Sequence, residues 1–306
     1  MDLSVKIGKI EFKNPLWAAS GTFGTRGEEF EDFLKLENIG AIVTKTVTLK
    51  PREGNPPPRI VETPSGLLNS IGLENKGIDA FIKHDLPKLK KIRTRTVISI
   101  AGTTGQDIAK CITKIPGKLM PDAIELNLSC PNVTHGKTKY QLISQDPTAT
   151  EKIVKAAVKG ASCAVIVKLT PNVTDVGETA KAAQEGGADA VSLVNTYFGM
   201  AVNAQEERPV LGNVCGGLSG PAIKPMALKA VSEAYENIKI PIVGIGGIVK
   251  GTDVAEFMLC GARAVQIGTV NLIEPFSCER ILKEFKAYLE GKKIKKADDI
   301  IGRLKK

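Results

Sequence analysis

Short apolar segments alternate with longer amphipathic segments along most of this chain. The amphipathic segments, such as 148–159 and 176–185, carry apolar residues at helical spacing. The apolar segments predict buried strands at 16–20, 41–45, 97–101, 123–127, 164–169, 190–195, 241–245 and 264–267. Eight near-continuous apolar strands separated by helices favour the α/β class, as a closed (β/α)8 barrel rather than an open doubly wound sheet.

The two ends of the chain depart from this repeat. Residues 5–12 are typical of a hairpin that turns at Gly8, so we expect an N-terminal hairpin within 1–15. Residues 281–306 hold nine Lys and Arg against four Asp and Glu, a net charge of +5 out of the formal +9. This basic tail, expected to be helical, is either solvated or a docking surface for an acidic partner or RNA. We expect one domain over 1–306 and no nucleic-acid partner.

Composition limits the class of protein further. With 306 residues, 42% of them hydrophobic, the chain can bury a large core. No stretch approaches about 18 uninterrupted apolar residues, and the N-terminus lacks the layout of a signal peptide, so we expect a cytoplasmic protein without membrane contact. The six cysteines form no CxxC pair that would begin a zinc or iron–sulfur site. We therefore expect no metal here, and cluster-borne electrons would need another chain.

Polar residues collect at the C-terminal ends of the predicted strands, where barrels of this kind place their chemistry. Lys45 and Lys168 end two of these strands. A single lysine pointing past the rim would be unremarkable, but two at one mouth could stabilise an electron-rich ring or a carboxylate. The other polar residues at strand ends are Ser20, Ser99, Asn127, Cys130, Asn195 and Thr196.

The segment 127–132 places a thiol, a hydroxyl and two carboxamides together where a strand ends. Pro131 prevents a helix from carrying this group away. A free thiol has a pKa of about 8.5, and nearby lysine charge would favour its thiolate. Cys130 is therefore the candidate base. The other cysteines are expected to be buried and inert: Cys111, Cys163, Cys215, Cys260 and Cys278.

Glycines mark the exits of the last two predicted strands. Gly246 and Gly247 follow the seventh, and Gly268 and Thr269 follow the eighth. Loops in these positions commonly grip phosphate in such barrels, although glycines there can also serve tight turns alone. The glycines do not complete a GxGxxG fingerprint, so we expect no nicotinamide site in this chain.

Six motifs, in order and spacing, resemble class 1 dihydroorotate dehydrogenase, the FMN enzyme of pyrimidine synthesis. The motifs are ASGTFG at 19–24, GNPPPR at 54–59, NSIGL at 69–73, NLSCPN at 127–132, NT at 195–196 and GGLSGP at 216–221. The resemblance covers nearly the whole chain. It implies oxidation of (S)-dihydroorotate to orotate, with Cys130 removing the C5 proton while hydride passes from C6 to N5 of FMN. From the residues alone, 54–59 is either a stiff connector or part of the site rim.

The resemblance also implies a set of binding residues. The FMN phosphate would be held by Gly246, Gly247, Gly268 and Thr269, with a further backbone contact from Gly220. The ring or ribityl chain would contact Ser20, Lys45, Thr46, Ser99, Asn127, Lys168 and Val194. The substrate would be held by Lys45, Asn69, Ser70, Ile71, Gly72, Leu73, Asn127, Asn132, Asn195 and Thr196.

Two positions depart from the family pattern. Ser99 stands where the family commonly places asparagine against the flavin, and a serine makes fewer hydrogen bonds. Thr46 stands where a smaller residue is common. The resemblance therefore leaves a contact between Ser99 and the flavin undecided, but it still implies FMN as the cofactor. His135 could touch ligand or tune Cys130, although the family does not rely on a histidine here.

The resemblance leaves two electron acceptors open. Class 1A enzymes are homodimers that reduce fumarate, whereas class 1B chains pair with a subunit carrying FAD and a 2Fe-2S cluster that reduces NAD, in a heterotetramer of two catalytic and two partner chains. Segments 195–200 and 216–221, with Lys224 and Pro225, are more similar to class 1B. Two other hypotheses are a related flavin barrel acting on uracil bases, free or in tRNA, and a non-enzymatic phosphate-binding scaffold.

Overall fold

The computed structural model describes residues 1–25, 27, 35–129 and 142–305. Its strands are β1 Val5–Ile7, β2 Ile10–Phe12, β3 Leu16–Ala18, β4 Ala41–Val43, β5 Ile60–Thr63, β6 Gly66–Asn69, β7 Arg95–Ile100, β8 Ala123–Asn127, β9 Ala164–Lys168, β10 Ala190–Leu193, β11 Tyr197–Met200, β12 Val202–Asn203, β13 Arg208–Pro209, β14 Cys215–Ser219, β15 Ile242–Ile245 and β16 Ala262–Ile267. Its α-helices are α1 Ile78–His84, α2 Leu86–Leu89, α3 Gly105–Lys114, α4 Pro147–Gly160, α5 Val176–Glu185, α6 Lys224–Asn237, α7 Gly251–Leu259 and α8 Ser277–Gly291. Short 3-10 helices span Leu36–Asn38, Gly117–Leu119, Ile143–Gln145, Pro221–Ile223, Thr269–Leu272 and Ala297–Ile300. Among the helices so described, none combines the length and apolar character that a bilayer crossing requires.

Eight parallel strands close into a barrel. Around the barrel the order is β3, β4, β7, β8, β9, β10, β15 and β16. Each barrel strand therefore pairs with the barrel strands that come before and after it in the chain. This confirms the predicted (β/α)8 architecture, and all eight predicted strands are present. Five strands end earlier than predicted, by one or two residues, and in three of them this places Ser20, Lys45 and Asn195 in the loops that follow.

The inside of the barrel contains two layers of side chains. Alternate residues of a strand point inward, and the first inward residues form an apolar cluster. We call the barrel residues of this cluster the apolar layer: Trp17, Ala41, Val43, Val97, Ala123, Ile166, Ala190, Val243 and Ala264. Two residues further along five of these strands lie polar residues, which we call the polar layer: Ser99, Glu125, Lys168, Ser192 and Gln266.

The N-terminal hairpin closes the barrel beneath the apolar layer. Strands β1 and β2 pair antiparallel as predicted, and Gly8 turns between them with φ of +56°. Val5, Ile7 and Phe12 are buried in the same cluster as the apolar layer, and the Phe12 ring lies 4.4 Å from that of Trp17 between centroids. The sealed end leaves the C-terminal rim of the strands as the place for ligands.

The helices pack outside the barrel and bury its outward-facing residues. Helices α4 and α5 match the two amphipathic segments that the sequence predicts. Their first turns are capped by aspartates, because the Asp146 carboxylate accepts from the Ala149 amide and the Asp175 carboxylate accepts from the Gly177 amide. Apolar side chains of helices and strands form one continuous core between the two shells.

A second sheet, which the strand pattern did not predict, stands at the C-terminal rim. We call it the roof sheet; its order is β11, β14, β6 and β5, and all its pairs are antiparallel. It joins two excursions of the chain, one after β4 and one after β10. Strand β14 includes Gly216 and Gly217, which weaken any strand signal in the sequence, and its partner β6 lies about 150 residues earlier.

The basic tail is α-helical only to Gly291. Lys293 has φ of +57°, and the chain then turns back onto the barrel. Ala297 and Ile300 are buried, and the backbones of Asp2 and Lys296 form an isolated parallel β-bridge. The segment 297–300 therefore covers apolar surface instead of extending as a free helix.

Candidate active site

A cavity of about 340 Å³ opens between the C-terminal rim and the roof sheet. Most of the predicted site residues line it: Ser20, Lys45, Thr46, Asn69, Ile71, Gly72, Leu73, Asn127, Lys168, Val194, Asn195, Thr196, Gly220, Gly246, Gly247, Gly268 and Thr269. Ser70 and Ser99 do not line it, because both are fully buried. Cys130, Asn132 and His135 lie outside the described residues. Seventeen predicted residues thus share one cavity, and their roles stay predictions.

A chain of hydrogen bonds beside the cavity links the loop after β4 to the loop after β10. The Asn195 amide nitrogen donates to Ser129 Oγ at 3.0 Å, and Ser129 Oγ donates to Asn127 Oδ1 at 3.2 Å. The Asn127 amide nitrogen donates to Thr46 Oγ1 at 3.0 Å. Because a serine hydroxyl can donate and accept at once, fully buried Ser129 fixes the orientation of both carboxamides. Its neighbour in the chain is Cys130.

The two predicted lysines have different surroundings. Lys168 is buried, with Nζ 3.4 Å from Ser20 Oγ and 3.9 Å from Glu125 Oε1. Lys45 is half-buried, and among the described residues its ammonium has no hydrogen bond or ion pair. A cation that lines a cavity without an internal partner is well placed to bind an anion.

Glycines bring two backbone segments close together at one end of the cavity. Gly220 and Gly247 have φ of +93° and +67°, a region that side chains rarely adopt. A Cβ on Gly247 would lie 2.8 Å from the Gly220 carbonyl oxygen, so the contact requires glycine. Beside them Thr269 Oγ1 donates to Ser219 Oγ at 2.9 Å. The glycine backbone and the two hydroxyls form a narrow polar site of the kind that binds phosphate groups.

The segment 54–59 packs against the loop 69–73, which borders the cavity. Arg59 Nε donates to the Asn55 carbonyl at 2.5 Å, and its guanidinium pairs with Glu74. The Ser70 amide donates to the Arg59 carbonyl at 2.7 Å, and the Asn55 amide donates to the Ile71 carbonyl at 3.0 Å. These contacts support the loop 69–73, but no residue of 54–59 itself lines the cavity, so both interpretations of this segment stay predictions.

Comparisons with known proteins point to one family. The family model described as dihydroorotate dehydrogenase matches residues 2–289. The chain belongs to the dihydroorotate dehydrogenase family. The dihydroorotate dehydrogenase B (NAD(+)) catalytic subunit of Geobacter sp. (strain M21) is 48% identical over 303 residues, covering 99% of this chain and 98% of the relative. The subunit of the same name from Bacteroides thetaiotaomicron is 46% identical over 303 residues, covering 99% of each chain. These names confirm the predicted similarity to the class 1B catalytic subunit.

The two departures from the family pattern lie in contact with each other. Thr46 Oγ1 and Ser99 Oγ are 2.8 Å apart, and either hydroxyl can be the donor. Position 46 thus carries a larger residue than is common in the family and position 99 a smaller one, and the two side chains contact each other. In this member of the dihydroorotate dehydrogenase family, Thr46 presents its hydroxyl to Asn127, and Ser99 supports Thr46 from below.

Sequence reasoning missed three residues of the polar layer, Glu125, Ser192 and Gln266, and the roof sheet's share of the cavity. Gln266 lines the cavity, and Glu125 lies fully buried beneath it. The signal was present, because Glu125 and Gln266 are polar side chains with apolar residues on both sides in mostly apolar strands. Ile60, Leu67 and Ser219 of the roof sheet also line the cavity, but no motif indicated that these strands meet.

Proposed function

We propose that this chain oxidises dihydroorotate to orotate as the catalytic subunit of an NAD-linked dihydroorotate dehydrogenase. The observation that carries the proposal is the hydrogen-bond chain from Asn195 through Ser129 to Asn127, because Ser129 immediately precedes Cys130 in the sequence. Asn127 and Asn195 line the same cavity as Lys45 and Lys168. The relatives named for this activity cover the whole chain.

FMN fits the cavity by the chemistry of its lining. Gly220, Gly246, Gly247, Gly268 and Thr269 would hold the phosphate, where Gly220 and Gly247 approach too closely for side chains. Ser20, Lys45, Thr46, Asn127, Lys168 and Val194 would contact the ring or ribityl chain. When bound, FMN supplies the hydride acceptor of the reaction.

The chain's own residues would bind the substrate and move its proton. Asn69, Ile71, Gly72, Leu73, Asn127, Asn132, Asn195 and Thr196 would hold the dihydropyrimidine ring. Lys45 would offset the substrate carboxylate's charge, because its ammonium has no partner among the described residues. Cys130 would remove the C5 proton as the base. The buried Ser129 hydroxyl would keep the two carboxamides in place.

The electrons would leave through a partner subunit. We propose that this subunit carries FAD and a 2Fe-2S cluster and reduces NAD, in a heterotetramer of two catalytic and two partner chains. The words "catalytic subunit" in the names of the relatives support a separate partner. The chain alone is then expected to oxidise dihydroorotate but to reduce NAD only after the partner is added. Fumarate reduction by the chain alone would contradict this assignment.

An anaerobic absorbance experiment tests the chemistry. The purified chain should show flavin absorbance that bleaches on addition of dihydroorotate, and Cys130→Ala should retain the flavin but bleach about 10²- to 10⁴-fold more slowly. Cys215→Ala, the same change at a half-buried cysteine of β14, is the matched control and should bleach at the wild-type rate. Flavin that ignores dihydroorotate, or equal bleaching in both variants, would contradict the proposal.

A further inference from the structure

An ionisable residue that the proposed mechanism does not use lies inside the barrel. Glu125 is fully buried in the middle of β8, two residues before Asn127 and two residues after Ala123. It therefore separates the apolar layer from the cavity. A buried carboxylate is costly unless charge and hydrogen bonds compensate it, so its partners indicate what it does.

The partners of Glu125 connect it to two residues that line the cavity. Its Oε2 accepts from Gln266 Nε2 at 2.6 Å and from Ser192 Oγ at 3.0 Å. Its Oε1 lies 3.9 Å from Lys168 Nζ and has no hydrogen bond among the described residues. Lys168 and Gln266 both line the cavity, whereas Glu125 and Ser192 do not.

The carboxylate also fixes the orientation of the Gln266 amide. A carboxylate only accepts, so the amide nitrogen must face Glu125. The Gln266 carbonyl oxygen is then left buried and without a hydrogen-bond partner in the described part of the chain. A buried acceptor of this kind, in a residue that lines a cavity, calls for a donor from a bound molecule.

We propose that Glu125 is a positioning residue, which acts as the counter-charge of Lys168, orients Gln266, and thereby keeps the reduction potential of the bound flavin low. This inference rests on the proposed function, because it concerns the flavin of that same cavity. A reduced flavin carries more negative charge than an oxidised one, so an uncompensated lysine beside the ring favours reduction. The Glu125 carboxylate offsets that lysine from the side away from the cavity.

Equilibrium reduction of the flavin against a reference dye tests the proposal. Glu125→Gln keeps the shape and removes the charge, and it should shift the two-electron equilibrium toward reduced flavin by about tenfold or more, which is about 30 mV. Ser192→Ala is the matched control, since it removes one hydrogen bond to the same carboxylate but leaves its charge, and its shift should be much smaller. An unchanged equilibrium in Glu125→Gln, or a shift toward oxidised flavin, would overturn the proposal.

A second background tests whether Lys168 carries the effect. In Lys168→Gln, the further change Glu125→Gln should move the equilibrium far less, because no lysine remains to be offset. A shift of equal size in both backgrounds would refute the counter-charge role. The urea midpoint gives a readout independent of flavin: the double variant should unfold at a higher midpoint than Glu125→Gln alone, which leaves a buried lysine uncompensated. A double variant no more stable than Glu125→Gln would also overturn the pairing.

These outcomes are separable from failure of the proposed function. Bleaching of the wild-type flavin by dihydroorotate tests the activity, whereas the potentials of the variants test Glu125. If dihydroorotate bleaches the wild-type flavin but the flavin potential is unchanged in Glu125→Gln, only the inference about Glu125 is refuted.

Discussion

The apolar layer and the polar layer lie on the same strands, only two residues apart, yet the first forms part of the core and the second borders the cavity. In β8, Ala123 belongs to the first and Glu125 to the second; in β9, Ile166 and Lys168 divide in the same way. The first layer packs on a hairpin and contains no charged group, whereas the second contains an ion pair and borders the cavity. One end of a barrel can thus be optimised for stability while the other holds groups that only a ligand completes.

The largest expected contrast is in cysteine reactivity. Burial raises the pKa of Cys111 and of Cys278 to about 12, so at pH 8 about one in ten thousand of these thiols is ionised in the folded protein. An accessible free thiol, with the reference pKa of about 8.5, is ionised in about a quarter of molecules at this pH. Iodoacetamide at pH 8, followed by mass spectrometry, should therefore label Cys130 about 10³-fold faster. In urea all six cysteines should react alike; labelling of Cys278 as fast as Cys130 in the folded chain would refute the contrast.

A change beneath the apolar layer should affect stability more than chemistry. Phe12→Ala removes a fully buried ring that packs against Trp17 and should lower the free energy of unfolding by about 3–5 kcal/mol. Urea denaturation measures this loss. The rate of flavin bleaching per folded molecule should stay near the wild-type value, and a large fall in that rate would mean that the two layers are not separable.

The reverse contrast is expected for Ser129, at the cavity. Ser129→Ala breaks the link between Asn127 and Asn195 and should lower kcat/KM for dihydroorotate by about tenfold, since a lost buried hydrogen bond costs about 1–3 kcal/mol. Ser144→Ala is a useful control, because that serine is equally buried and binds the Leu128 carbonyl instead. If both variants lost activity equally, the effect would be one of packing alone.

The smallest effect should come from the two residues that depart from the family pattern. Thr46→Val leaves the buried Ser99 hydroxyl without its partner and should lower the free energy of unfolding by about 1–2 kcal/mol. Adding Ser99→Ala should restore part of this loss, because removing both polar groups is cheaper than removing one. A double variant whose loss equals the sum of the two single losses would show that the hydroxyls do not interact.

The barrel was predictable from local pattern, and the roof sheet was not. Each barrel strand carries its own apolar signal, and each pairs with its neighbours along the chain. The roof sheet depends on pairing between Asn69 and Gly217, and neither the short glycine-rich strand β14 nor its distant partner has a periodic signal. Motifs predicted residues that come to line the cavity, but they gave no indication of Glu125, whose significance depends on which side chains the barrel closure brings to it.

The roof sheet and the cavity below it also determine how late in synthesis the complete pocket can form. Its strands come from opposite halves of the chain, and the cavity below is lined by residues from Ala19 to Leu272. Nearly nine-tenths of the polypeptide must therefore be synthesised before the pocket has all its walls. A nascent chain can begin to assemble its early strands, but it has no complete pocket to offer a cofactor, so cofactor loading belongs to the end of biogenesis.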